Sequence, residues 1–292
     1  MDVTNLNSKT ALVTGAASGI GKATALAFAR RGANLIVCDF NEQGLATTEQ
    51  AIRDLGSDVF AQKVDVSKRE QMEGFAAAVH QRVDAVDILM NNAGVGLGAG
   101  FLETSLTDWD WIVGINLMGV IYGCHYFVPR MVEHKRGGHV VNVSSAAGYV
   151  ASESLAAYST TKFGVFGLSE ALRTELERRN IGVTAVCPGI INTPITRSSP
   201  MRGLAATPGA QERMVKLYER RNYTPERVAE NILKAIQFNR AVAPISPEAW
   251  IMYYLKRFTP WLVAALNRSM AERMRREIEA STASNGSLGA RR

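Results

Sequence analysis

Cysteine is scarce in this chain, with 3 in 292 residues, at positions 38, 124 and 187. An odd number at wide spacing fits neither a disulfide framework nor a zinc site, so a reducing, cytoplasmic setting is expected. Long apolar runs are missing as well. WLVAAL at 261–266 is among the longest, far short of the roughly 20 residues that span a bilayer. The N-terminal MDVTNLNSKTALVTG lacks a basic stretch followed by an apolar one, so no secretory signal is expected. Histidine numbers only 4 and forms no cluster with cysteine, and no metal is expected. Net charge is nearly absent from most of the chain. Of the total of +6, residues 256–292 hold +5, eight basic residues facing Glu272, Glu277 and Glu279. Such an end can meet anionic lipid or stay solvated, and no nucleic-acid partner is expected.

What is present is an ordinary globular balance, 47% apolar and 21% charged. Strand-like and helix-like stretches alternate from the start, the pattern of an α/β protein with a parallel sheet covered on both faces. Seven strands are expected: TALVT (10–14), ANLIVCD (33–39), DVFAQKVDV (58–66), VDILMNNAG (86–94), GHVVNVSS (138–145), GVTAVCPG (182–189) and AVAPIS (241–246). Between the first two, IGKATALAFARRG reads as a helix ending at Gly32, and another helix is expected over 157–179. Ser67 with Glu70, and Thr107 with Asp110, offer capping boxes. Thr224-Pro225-Glu226 opens a further helix with proline at its first position. No internal repeat interrupts the pattern. The expected organisation is one domain over 1–246, a helical extension over 247–282 and a disordered tail over 283–292.

The first strand runs directly into TGAASGIG, with Gly15, Gly19 and Gly21. A glycine-rich turn between strand and helix lets backbone N–H groups and the helix dipole approach a pyrophosphate. Asp39 closes the second strand. A carboxylate there accepts hydrogen bonds from adenosine ribose hydroxyls and repels a 2′-phosphate. Phe40 follows, so no arginine stands by for that phosphate. NAD(H) is favoured over NADP(H).

With these motifs the chain resembles the short-chain dehydrogenase/reductase family, in its single-domain branch of roughly 250 residues, from Lys9 to about Ile245. TGAASGIG looks like the family's phosphate loop, bringing in Ser18 and Ile20. Asp65-Val66 resembles its adenine-contacting pair, and Asn91-Asn92-Ala93-Gly94 the motif beside the central strand. Trp109 precedes Asn116 by seven residues, Ser145 precedes Tyr158 by thirteen, and Lys162 follows Tyr158 by four. PGIINT resembles the loop whose Pro188, Gly189, Ile191 and Thr193 hold the nicotinamide end. The resemblance implies a doubly wound Rossmann-type sheet in the order 3-2-1-4-5-6-7. It also implies hydride exchange between nicotinamide and a secondary alcohol or ketone. Tyr158 would be the general acid or base and Ser145 would polarise the substrate oxygen. Lys162 would hold the nicotinamide ribose and, with the oxidised ring's charge, lower the phenol's pKa from its free value near 10. Asn116 would hold a water on a proton path. Ser144, by alternation along its strand, would face the other way. Association as a homodimer or homotetramer is implied, through the helices that carry Asn116 and Tyr158.

Specificity is expected from the loop 190–223, with Ile190, Ile191, Ile195, Met201, Leu204, Met214, Leu217 and Tyr218, facing Val95, Leu97, Ala147 and Tyr149. This apolar set points to a lipid, steroid-like or long-chain substrate. Arg197, Arg202, Arg213, Lys216, Arg220 and Arg221 leave open an acidic 3-oxoacyl thioester. A catalytically silent NAD-binding regulator is the further alternative. The C-terminal WIMYYLKRFTPWLVAALNRSMAERMRR, rich in aromatics and then basic, resembles tails of bacterial short-chain dehydrogenases, some fused to epoxide-hydrolase-like domains. Three roles stay open for it: packing on the core, lining the pocket, or peripheral membrane contact through residues 250–276.

Overall fold

The computed structural model describes residues 1–206, 209–269, 271–272 and 276. The expected tail 283–292 and most of 270–282 lie outside them. In chain order the elements are β1 (Thr10–Thr14), α1 (Gly19–Ala29), β2 (Asn34–Asp39), α2 (Glu42–Asp54), β3 (Val59–Lys63), α3 (Arg69–His80), β4 (Ile88–Asn91) and α4 (Leu106–Val113). They continue with α5 (Gly119–His134), β5 (Gly138–Val143), α6 (Ala156–Leu176), β6 (Ile181–Pro188), α7 (Ile195–Ser198), α8 (Ala210–Arg221), α9 (Pro225–Gln237), β7 (Val242–Ile245) and α10 (Pro247–Phe258). All seven strands pair in parallel, in the order β3-β2-β1-β4-β5-β6-β7.

Helices on both faces explain why β1 and β4 are buried along their whole length. Alternation divides their side chains between two core layers. Ala11 and Val13 join Phe28, Ile232 and Ile236 beneath α1 and α9, while Leu12 joins Phe75, Phe127 and Met131 beneath α3 and α5. The order reverses between β1 and β4, which opens a crevice at the carboxyl ends of the strands.

Both expected capping boxes are corrected. Asp65 takes Ser67 into a turn of its own, accepting from its N–H at 3.0 Å and its hydroxyl at 2.7 Å. The α3 N-cap is therefore Lys68, without a side-chain cap. The segment SLTDWD holds two overlapping box frames, and the earlier one forms: Ser105 caps α4 with Asp108. The continuous helix Leu106–His134 is, by length and composition alone, apolar enough to cross a membrane. Its Val120, Phe127 and Met131 are buried within the fold.

His139 on β5 is buried, its Nε2 2.8 Å from the Thr184 hydroxyl. Burial holds its pKa at about 3, against 6.5 when free. Below 6.5 the unfolded chain takes up a proton that the folded chain refuses, so this contribution to stability is complete above 6.5 and is lost as pH falls. Urea unfolding at stepped pH should show stability falling by about 1.4 kcal/mol per pH unit from roughly pH 6 to pH 5, above the carboxylate range. His139→Gln should flatten that slope.

Candidate active site

A cleft of 1930 Å³ crosses the carboxyl edge of the sheet, from Asp39 and Gly15 past Ser145 and Tyr158 to Met214 and Met252. At its first end, Asn92 fastens the glycine turn. Its Nδ2 donates to the carbonyls of Thr14 (2.9 Å) and Gly15 (3.0 Å). The Thr14 hydroxyl in turn accepts from the N–H groups of Asn92 (3.0 Å) and Ala93 (3.1 Å). Gly15 has φ +67°, and a Cβ there would lie 2.7 Å from the Ala93 Cα. A Cβ on Gly21, which is buried behind the turn, would collide with the Gly15 carbonyl oxygen. Ser18 opens α1 without capping it through its side chain, and no acidic residue occupies the first turn. With Gly19 and Ile20 it leaves the positive end of the helix dipole at the cleft wall.

Asp39, Phe40, Asp65 and Val66 line the same end. Both Asp39 oxygens already accept backbone N–H groups, Oδ2 from Ala17 at 2.9 Å and Oδ1 from Asn41 at 2.8 Å. Across the turn the loop after β6 folds over: a Cβ on Gly19 would meet Thr193 Cγ2 at 3.5 Å. Pro188, Gly189, Ile191 and Thr193 line the cleft with Gly94. A cradle with no room for side chains, a helix N-terminus and a carboxylate beyond it fit a dinucleotide.

The reacting groups converge next to it. Tyr158 lies in the first turn of α6, with Lys162 one turn further along. The Ser145 hydroxyl lies close enough to the Tyr158 phenol to pull its pKa down, and the Lys162 Nζ lies 5.7 Å from the phenol ring centroid. Lys162 is buried and donates to the Val143 carbonyl at 3.0 Å. The Ser145 Oγ is held from behind by the Ala147 N–H at 3.1 Å. Ser144 faces away, donating to the Lys162 carbonyl at 2.8 Å, as strand alternation requires.

Burial dominates the electrostatics. It raises the Tyr158 phenol to about 12, against a smaller downward pull from the Ser145 hydrogen bond. It also lowers the Lys162 ammonium to about 8. The polypeptide by itself favours the neutral phenol, the proton-donating form.

Asn116 sits in a π-turn over Gly114–Met118 and is fully buried. Its amide grips Val95, accepting from the N–H at 2.8 Å and donating to the carbonyl at 2.9 Å, with a longer bond to Thr161 at 3.3 Å. A Cβ on Gly94 would find Asn116 Oδ1 at 3.2 Å and Lys162 Nζ at 3.5 Å, so both side-chain ends lie under that glycine.

The far end mixes apolar and charged lining: Ile190, Ile195, Met201, Met214, Tyr218 and Ala147 stand opposite Val95 and Leu97, with Glu153 and Arg213 on the same wall. Leu217 instead is exposed. Tyr149 is a second correction. It turns into the core, donating its hydroxyl to the Ala249 carbonyl at 2.7 Å and packing edge-on to Tyr253 at 5.4 Å. The 3-10 turn Ala146–Gly148 rotates it inward. Val150 and Leu155 take the wall position instead, and Met252, Asn267 and Ala271 add to it from the C-terminal segment. Asn267 is tied there by a 2.8 Å bond to the Ala151 carbonyl. Packing and pocket-lining, two of the roles left open for that segment, therefore coexist. Four basic residues of the loop are ion-paired: Arg197 to Glu219, Arg202 to Asp108, Lys216 to Glu212 and Arg221 to Glu248.

The family model for short chain dehydrogenases matches residues 9–202. "Probable oxidoreductase EphD" of Mycobacterium tuberculosis is 38% identical over 256 residues, covering 85% of this chain but 43% of that protein, so the chain spans less than half of that relative. A 3-oxoacyl-[acyl-carrier-protein] reductase, FabG of Thermotoga maritima, is 38% identical over 195 residues, 67% of this chain and 79% of that one. Among solved structures, a short chain dehydrogenase/reductase from Burkholderia phymatum in complex with NAD superposes with TM-score 0.79 at 31% identity, over 90% of this chain and 96% of that chain.

Gly21→Ala tests the cradle, because its methyl would land on the Gly15 carbonyl. Fluorescence titration should show NADH affinity falling at least about tenfold, roughly 1.4 kcal/mol, and the melting temperature should fall as well, because the turn backbone must move to admit the methyl.

Proposed function

The chain belongs to the short-chain dehydrogenase/reductase family, and on that premise we propose that it is an NAD(H)-dependent oxidoreductase interconverting an apolar secondary alcohol and its ketone. The observation that carries this reading is the convergence of the Ser145 and Tyr158 hydroxyls on one stretch of the cleft wall beside buried Lys162. A carbonyl oxygen placed between two such donors is polarised by both. Tyr158 then delivers its proton to that oxygen as negative charge develops there, and takes it back in the reverse direction. The bound nicotinamide supplies or receives the hydride, and in its oxidised form adds positive charge that favours phenolate. Lys162, fixed by the Val143 carbonyl, stands where one ammonium can meet a ribose hydroxyl and offset charge on the phenol.

Asp39 without a neighbouring arginine supports NAD(H) over NADP(H). An apolar substrate is supported by the side chains of Ile190, Ile195, Met201, Met214, Val95 and Leu97 that line the far end. The 3-oxoacyl thioester reading draws on the name of the Thermotoga relative. Against it, Arg197, Arg202, Lys216 and Arg221 are already engaged with carboxylates. Self-association through α5 and α6 belongs to the same proposal, supported by the half-exposed Phe163 on α6.

The deciding experiment follows NADH oxidation by the purified protein over ketones of increasing chain length. Turnover should rise with chain length, NADH should outperform NADPH, and Tyr158→Phe should lose about 10²-fold or more in kcat. NADH binding without turnover of any carbonyl would overturn the assignment. A chain ending at Phe258 keeps α10 and loses Asn267 and Ala271 from the cleft wall. It should lose kcat/KM on long ketones while small ketones are spared, and equal losses on both would assign those residues to stability alone.

A further inference from the structure

The extension past β7 has an inner and an outer side. On α10, Ala249, Met252 and Tyr253 pack inward around Tyr149. The opposite side carries Ile251, Tyr254 and Phe258, exposed at 59%, 49% and 72%. After a break at Thr259, residues 260–269 are helical again and add Trp261 and Leu266, exposed at 70% and 48%. The rings are ordered relative to one another: Trp250 stacks on Tyr254 at 5.7 Å, and Tyr254 on Phe258 at 6.2 Å. An outward aromatic ridge of this kind is a standing cost in water unless something covers it. Its basic neighbours Lys256, Arg257 and Arg268 are exposed.

We propose that this ridge is a docking surface for an anionic lipid bilayer, which holds the mouth of the cleft against the membrane. Aromatic side chains seat at the level of lipid headgroups, apolar body down and polar edge up, and flanking lysine and arginine meet the phosphates. Charge selects this occupant. Residues 256–292 carry +5 while the first 255 carry +1, so the attraction is concentrated on the segment that bears the ridge. A second copy of the chain would set Lys256, Arg257 and Arg268 against their own equivalents on the same face. Continuity with the cleft gives the surface a use. Met252, Asn267 and Ala271, from the same segment, form part of the cleft wall. An apolar substrate dissolved in the bilayer would then pass behind the ridge without crossing water. That use rests on the apolar-substrate reading above, whereas the docking itself does not.

Vesicle flotation tests it, with full-length protein and vesicles of phosphatidylcholine alone or mixed with phosphatidylglycerol. The protein should float with the mixed vesicles, far less with the neutral ones, and less as salt is raised. The triple variant Tyr254→Ser, Phe258→Ser, Trp261→Ser should lose partitioning roughly tenfold or more, while turnover of a small soluble ketone and NADH affinity hold. Lys256→Glu with Arg257→Glu leaves the ridge intact and should weaken flotation on anionic vesicles alone. The proposal is overturned if the wild-type protein stays in the soluble fraction, or if neither variant changes flotation. It is equally overturned if light scattering shows that the triple variant splits an oligomer while the wild type ignores vesicles, which assigns the ridge to a second copy. Flotation without turnover of any apolar ketone would leave the docking surface standing and remove the substrate reading. Turnover of such ketones without flotation would do the reverse.

Discussion

An ammonium group out of water organises the catalytic side of this protein. Removing the charge of Lys162 from solvent is costly unless polar atoms replace its hydration, and the surroundings are built to do so. The carbonyl at the end of β5 accepts from it, Asn116 Oδ1 lies close by beneath Gly94, and the Tyr158 ring stands one helical turn away. Ser144 ties its hydroxyl to the lysine's own backbone carbonyl, locking α6 to the strand edge. With β5 and α6 joined in this way, Ser145 and Tyr158 have little choice but to meet. The π-turn at Gly114–Met118 completes the enclosure by presenting Asn116 to Val95.

The burial that builds this enclosure also sets its acid–base character. Desolvation disfavours charge on either partner, so the phenol is raised and the ammonium lowered. Spacing along a helix shows that two side chains are neighbours. It does not show how dry their surroundings are.

The same distinction separates what was legible in the sequence from what was not. The seven strands were legible as short apolar runs between turn signals, and their order came with the resemblance that the motifs carry. The glycine turn and Asp39 were legible from their place at strand ends, and Asn116, Ser145, Tyr158 and Lys162 from motifs that resemble the family's. Tyr149 was not, since its direction is decided by a 3-10 turn and by contact with Ala249, one hundred residues away. The capping frame of α4 was ambiguous because two overlapping Ser/Thr-x-x-Asp frames compete within six residues. Met252, Asn267 and Ala271 reach the cleft only because a segment distant in sequence folds back over it. No local pattern encodes that return.

Asp39 has two employments. Besides facing the cleft, its carboxylate spends both oxygens on main-chain N–H groups, one in the glycine turn and one at the start of α2. Cofactor choice and loop geometry are therefore written into a single side chain. Redesign toward a phosphorylated dinucleotide cannot proceed by erasing that charge alone, since the turn would lose its anchor with it. A workable route must keep a short acceptor at this position and place the new cation on a neighbour, with Phe40 the nearest vacancy for it.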